Sequence, residues 1–259
     1  MKIQFIGAGS AFNKLDGQSN AVITAASGKK LLIDCGSTCW TTADKLGLGL
    51  KYTDIDAVYV SHLHADHVGG LEELAFCTYF NPNAERPRLF CNTQLMHELW
   101  EQALRGGLES IQGKVVTLTE YFDCHPVENS SFFVWEGITF IPVQTVHVMA
   151  GYHIKYSYGL IIQEIGVSSE KPKVFFTSDT QFAPNQIMDF YRSCDVIFQD
   201  CETSPFKSGV HANFADLTTL SDDIRSKMWL YHYQPGTVRQ AAKDNGFCGF
   251  VEAGQSFDF

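Results

Sequence analysis

Six consecutive positions, His62-Leu63-His64-Ala65-Asp66-His67, hold three imidazoles and a carboxylate, and an apolar stretch from Ala57 to Ser61 leads into them. This is a metal-site pattern: neutral imidazole nitrogen and carboxylate oxygen are donors that zinc accepts. Alternation puts His62 and His64 on one side of an extended segment, while Asp66 and His67 follow at the turn into a helix and can swing toward a second point. One segment can therefore begin two coordination spheres. The fold must then deliver a strand end into a cleft where other segments complete both. A histidine-rich surface loop is the alternative, and the buried strand ahead of the run argues against it.

Composition sets the bounds. With 259 residues, 45% hydrophobic and 13% aromatic, the chain can bury a large core, and we expect a single domain over residues 1–259. A formal charge of −10 argues against extended nucleic-acid binding, which draws its affinity from clustered Lys and Arg. A small anion reaching bound metals is easier to accommodate. The segment Met1 to Gly9 has too short an apolar run for a secretory signal, and no stretch approaches the roughly 20 apolar residues of a membrane span. Eight cysteines without a CxxC pair fit reduced thiols better than a disulfide framework. The expected location is the cytoplasm, that of the host if the chain is phage-encoded.

Patterning predicts a β-meander over Lys2–Gly7, Ala21–Ala25 and Lys30–Asp34, then helices over Ser37–Leu46, Leu71–Phe80 and Thr93–Arg105. Strands follow at Val115–Leu118, Phe132–Trp135, Ile138–Val143, Tyr158–Ile165 and Lys173–Thr177. Further strands are expected at Val196–Gln199, Met228–His232 and Phe250–Ala253, with helices at Asn185–Tyr191, Asn213–Ile224 and Val238–Asn245. Two sheets covered by helices would accommodate this order.

Three isolated residues stand where predicted strands meet loops: His147, Asp179 and His232. Rigid elements place reactive side chains at such positions. With the opening run they supply seven ligands for two ions. At this point the sequence resembles the metallo-β-lactamase superfamily of hydrolases, over nearly its whole length. The resemblance rests on the strand end Leu31-Leu32-Ile33-Asp34-Cys35-Gly36, the His-x-His-x-Asp-His run, His147, the Ser178-Asp179-Thr180 turn and His232. It implies an α+β fold, a four-layer αββα sandwich with a dinuclear site between the sheets. His62, His64 and His147 would hold one metal and Asp66, His67 and His232 the other, with Asp179 bridging. Asp34 either hydrogen-bonds a ligand from behind or simply initiates a turn. Two zinc ions are the expected cofactors, and manganese or iron suits the same donors.

An Asp bridge matches the phosphodiesterase branches. The stretch Gln199-Asp200-Cys201-Glu202-Thr203, followed by Gly209-Val210-His211, resembles the tRNase Z family, in which a histidine helps protonate the leaving oxygen. His211 falls at that position, with Glu202 or a neighbouring carboxylate orienting it; the alternative is a loop histidine bonded to backbone. The catalytic residues implied are Asp66, His211 and Glu202, with Asp216 a weaker partner. A phosphodiester has a poor alkoxide leaving group, so a proton donor is needed beside the nucleophile. Of the remaining histidines, His153 lies near the cleft, His97 on a helix face and His125 in a polar loop. Trp40, Phe206 and Tyr233 either stack on a nucleobase or pack the core.

The tRNase Z family carries a long tRNA-gripping arm between the third-motif histidine and the bridging Asp. The interval from His147 to Asp179 is mostly strand and has no room for it. Arm-less relatives with the same site include the anti-Pycsar enzymes of phages and bacteria, which degrade cyclic mononucleotide signals, and the chain looks similar to those. The expected function is hydrolysis of small 3′,5′-cyclic nucleotides to linear monophosphates by a homodimer, clearing an immune signal. The alternatives are an arm-less tRNA 3′-processing nuclease and a non-catalytic nucleotide sponge.

Overall fold

A computed structural model describes residues 1–166 and 171–259. Two seven-stranded sheets form the centre. The first takes β1 (Lys2–Gly7), β2 (Asn20–Thr24), β3 (Lys30–Ile33), β4 (Ile55–Tyr59), β5 (Arg88–Asn92) and β6 (Asp123–Val127). The second takes β7 (Phe133–Trp135), β8 (Ile138–Ala150), β9 (His153–Glu164), β10 (Val174–Phe176), β11 (Val196–Asp200), β12 (Met228–Tyr231) and β13 (Gly249–Phe250). A last strand, β14 (Ser256–Asp258), returns to pair antiparallel with β1. The meander β1–β2–β3 is antiparallel as expected. Strands β3 to β6 run parallel, as do β10 to β13.

Aromatic side chains fill the space between the sheets. Phe5 of β1 meets Phe176, Phe198 and Tyr231 of the other sheet at ring centroid distances of 5.0–5.7 Å. Phe133 stacks on Phe90 at 4.2 Å. Such pairs add geometric preference to the burial of large apolar area. Helices α1 (Cys39–Lys45), α2 (Ala65–Val68), α3 (Leu71–Tyr79) and α4 (Thr93–Glu98) accompany the first sheet. The second sheet is accompanied by α5 (Pro184–Ser193), α6 (Phe214–Leu217), α7 (Asp222–Arg225) and α8 (Gln240–Asp244). The result is a four-layer αββα sandwich. Among the described residues no helix is long and apolar enough to cross a membrane, and all eight cysteines are free thiols.

Four expectations are corrected. The strand of Ile138–Val143 runs on to Ala150, so His147 lies within a long hairpin and not at a strand end. Val146 pairs with Tyr156 and Val148 with Lys155, which leaves His147 as the extra residue of a β-bulge. Val115–Leu118 is not a strand: Val115 closes a two-residue hairpin, and Leu118–Tyr121 is a helical turn capped reciprocally by Thr117 and Glu120. His125 sits in β6, an edge strand that tolerates Pro126 because one side of its ladder is open. The helix expected over Asn213–Ile224 is two short helices. The Thr218 hydroxyl bonds back to the Ala215 carbonyl at 2.8 Å, and Ser221 starts a new helix with Asp222 and Asp223 in its first turn.

Candidate metal centre

The parallel strands of both sheets deliver their carboxyl ends to one place, the position where open α/β sheets present functional side chains. Asp34 follows β3, Ser61 and His62 follow β4, Asp179 follows β10, Asp200 ends β11 and His232 follows β12. The two halves are joined there: the His232 amide donates to the Ala8 carbonyl at 2.7 Å and the Tyr158 amide to the Ser61 carbonyl at 3.0 Å. Asp34, Ser178 and His232 have φ of 58°, 53° and 64°, a left-handed backbone that non-glycine residues adopt at a cost of on the order of 1–3 kcal/mol each. Gly36 is required by close approach, since a Cβ there would lie 1.9 Å from the Asp66 carbonyl oxygen.

The structure brings the seven expected ligand residues together in two groups that share Asp179. His62, His64 and His147 form one group with Asp179, and Asp66, His67 and His232 form the other. Within each group the donor atoms lie within 4.8 Å of one another. His64 Nδ1 is 3.2 Å from His62 Nε2 and 3.0 Å from His147 Nε2. His232 Nε2 is 3.3 Å from Asp66 Oδ2, and His67 Nε2 is 3.3 Å from Asp179 Oδ2. The β-bulge explains how His147 arrives: an extra residue re-aims the local side chain without ending the strand.

Hydrogen bonds from behind fix these rings. His67 Nδ1–H donates to Asp34 Oδ2 at 2.7 Å, leaving Nε2 for the centre. Ser61 Oγ donates to the same oxygen at 2.7 Å and accepts from His62 Nδ1 at 3.1 Å, so Asp34 orients one histidine of each group. His147 Nδ1–H donates to the Val210 carbonyl at 2.9 Å.

These residues fit a bound metal ion. Both Asp179 oxygens and His67 Nε2 are buried without a hydrogen-bond partner. Buried polar atoms are almost always satisfied, so a convergent set of orphans is a place for an ion. Asp66 and Asp179 are held below the usual carboxylate range: burial alone would raise both, and the neighbouring histidines more than reverse that.

His211 stands beside both groups. Its Nδ1–H donates to Asp200 Oδ2 at 2.9 Å, and the same oxygen accepts the Thr180 amide at 2.9 Å. Burial disfavours the charged ring, but Asp200 outweighs it and raises the pKa. The carboxylate that faces His211 is thus Asp200, and not Glu202. Glu202 is turned away because its backbone pairs with Asn213 and its carboxylate accepts the Ser208 amide at 3.0–3.1 Å, which closes the loop carrying His211. The signal for Asp200 was its place at the end of the strand expected over Val196–Gln199. Asp216 is away from the centre, paired with Lys207. Trp40 donates to the Gly70 carbonyl and Tyr233 to the Val251 carbonyl, so both serve packing, whereas Phe206 is exposed. His153 lines a cleft of about 310 Å³ that opens beside His62, His64 and His147.

Similarity to known proteins agrees with this geometry. The sequence profile described as "Anti-Pycsar protein Apyc1" matches residues 1–257. Anti-Pycsar protein Apyc1 of Paenibacillus harenae is 34% identical over 260 residues, covering 100% of both chains. That of Paenibacillus xerothermodurans is 32% identical over 262 residues, covering 100% of this chain and 98% of its own. The metallo-β-lactamase fold protein YhfI of Bacillus subtilis superposes with a TM-score of 0.75 at 17% identity over 99% of each chain. The chain belongs to the Apyc1 family of anti-Pycsar proteins and has the metallo-β-lactamase fold.

Proposed function

We propose that this chain is a dinuclear-metal phosphodiesterase that hydrolyses 3′,5′-cyclic mononucleotides to linear monophosphates. The observation that carries the reading is the pair of donor groups meeting at Asp179, with His211 alongside them. One ion would be held by His62, His64, His147 and Asp179, and the other by Asp66, His67, His232 and Asp179; zinc is the proposed metal. When bound, such ions neutralise phosphate charge and make water nucleophilic near neutral pH.

The remaining work falls to the protein. Water adds to phosphorus, one ester P–O bond breaks, and the departing ribose oxygen needs a proton. His211 supplies it from Nε2, because Nδ1–H is committed to Asp200, which favours the charged ring and orients it. Asp34 holds His67 directly and His62 through Ser61, so the rings stay aligned as charge changes. A cleft of about 310 Å³ suits a mononucleotide. The charge of −10 opposes a long polyanion, and the β9 hairpin strand and β10 fill much of the interval where a tRNA-gripping arm would sit. Membership of a family named for anti-Pycsar action supports a nucleotide substrate and a role in clearing an immune signal. The acting species is proposed to be a cytoplasmic homodimer, which light scattering would test.

Product analysis decides the substrate. Zinc- or manganese-loaded protein is incubated with cyclic mononucleotides, cyclic dinucleotides and precursor tRNA, with Asp179→Ala as control. Linear monophosphates formed by the wild type alone support the proposal. Cleavage of tRNA only would make the chain a processing nuclease, and recovery of intact cyclic nucleotide at stoichiometric binding would make it a sponge.

A further inference from the structure

A second cavity of about 280 Å³ adjoins the cleft of about 310 Å³ beside His62, His64 and His147, and Tyr158 lines both. The same two elements build them. Helix α4 gives Gln94 and Leu95 to the cleft, and Asn92, whose side chain caps that helix, lines the second cavity. The β8–β9 hairpin gives residues 153–156 to the cleft and residues 141–144 to the second cavity. Tyr158 pairs with Gln144 across the hairpin, so it stands where one lining passes into the other.

The main chain of Tyr158 is pinned next to the metal centre. Its amide donates to the Ser61 carbonyl at 3.0 Å, and its carbonyl accepts from the Tyr59 hydroxyl at 2.9 Å. The buried ring is held more loosely: its hydroxyl meets the Gln144 side-chain amide at 3.4 Å, a long contact. A large ring held by packing, on a backbone fixed by other bonds, is a partition that a shorter side chain would remove. The second cavity has the chemistry to take a nucleoside, with the amides of Asn92, Asn129 and Gln144 as donors and acceptors and Phe190 as an aromatic surface. Glu128 in the same lining adds a negative charge that disfavours a second phosphate.

We infer that Tyr158 sets the length of the substrate. Its ring closes the groove after one nucleotide unit, so a cyclic mononucleotide fits, whereas a dinucleotide, whose second unit must pass Tyr158, is shut out. A built obstruction of this kind gives specificity by penalising the wrong ligand. This assignment rests on the proposed hydrolysis of cyclic mononucleotides and names the residue that limits substrate size.

The test compares kcat/KM for 3′,5′-cyclic AMP and cyclic di-AMP in metal-loaded full-length wild type, Tyr158→Ala and Tyr158→Phe, with calorimetric titration of their linear products as a second readout. Both substrates carry adenine, so the ratio is independent of base. The wild type should prefer the mononucleotide by on the order of 10²-fold or more. Tyr158→Ala should shrink that preference by about tenfold or more, with Glu128 keeping part of the exclusion, and Tyr158→Phe, which retains the ring, should hold the wild-type ratio within about twofold. The linear products should bind in the same order. Each ratio is taken within one preparation, so changes in folded or loaded fraction cancel, and Tyr158→Leu replaces the Ala variant if that one does not fold. Equal kcat/KM values or a preference for the dinucleotide in the wild type, a ratio that loss of the ring leaves unchanged, or a Phe variant that behaves like Ala would overturn the role of Tyr158 while hydrolysis stands. Absence of turnover on every cyclic nucleotide would overturn both.

Discussion

The two donor groups that meet at Asp179 are made of similar residues and behave oppositely. In the first, burial pulls the pKa of His62 well below its ordinary value and lowers those of His64 and His147, because desolvation disfavours an imidazolium. In the second, burial acts on His67 and His232 in the same sense and loses. Asp179, Asp66 and Asp34 raise His67, and Asp179 with Asp200 and Asp66 lifts His232 to about 10. Neighbouring carboxylates, not depth, decide the sign. The first group offers neutral lone pairs at pH 7, whereas the second would have to give up protons to take a metal.

Removing the shared residue should do the most damage. Asp179→Ala takes a donor from both groups and should lower turnover of a phosphodiester on the order of 10³-fold or more, read from initial rates at saturating metal. Retention of a tenth of the activity would mean that the groups do not depend on a common carboxylate.

His211→Ala should cost about 10²–10⁴-fold on a substrate with a ribose leaving group, the range for general acid catalysis. On a p-nitrophenyl phosphodiester, whose leaving group needs no proton, the loss should be far smaller. Equal losses on both substrates would recast His211 as part of the metal site.

Asp34→Asn sharpens the comparison, because Asp34 touches His67 directly and His62 only through Ser61. Metal affinity should fall by about 10–100-fold in the second group and less in the first, measured by competition with a chelator. A uniform weakening would contradict that asymmetry.

The smallest effect is on stability of the metal-free protein. The folded pKa of His232 lies above the unfolded value near 6.5, so its contribution is complete below about pH 6.5 and fades as pH rises toward 10. Over that interval Tm should drop by a few degrees, and zinc-loaded protein should be spared. Scanning calorimetry at several pH values checks this; a flat or rising metal-free Tm would show that the carboxylates do not hold that proton.

Much of this centre was legible in the sequence because its largest piece is local: four donors in six positions need no knowledge of the fold. Asp179 and His232 were also visible, since each terminates an apolar strand. His147 was found for a reason only half right. Its strand carries on past it to a glycine tip, and a bulge, which leaves no trace in alternation until pairing is known, turns the ring inward. Glu202 was preferred over Asp200 because a motif fixes neighbourhood and not side-chain direction. The bridge between Glu202 and Asn213 turns that carboxylate toward Ser208, and only the parallel register of β10, β11 and β12 shows that Asp200 ends beside Asp179 and His232. The helix expected over Thr93–Arg105 was read from apolar spacing, which does not reveal that Leu99–Leu104 winds in π turns.

The most direct test is anomalous diffraction from crystals of the zinc-loaded protein. A third donor set, Asp179, Asp200, His211 and His232, competes with the second group for the same histidine and would consume the proposed acid. Two peaks flanking Asp179, one among His62, His64 and His147 and one among Asp66, His67 and His232, with His211 unligated, are the predicted result. A single peak, or a peak coordinated by His211, would contradict the two-ion centre with a free proton donor.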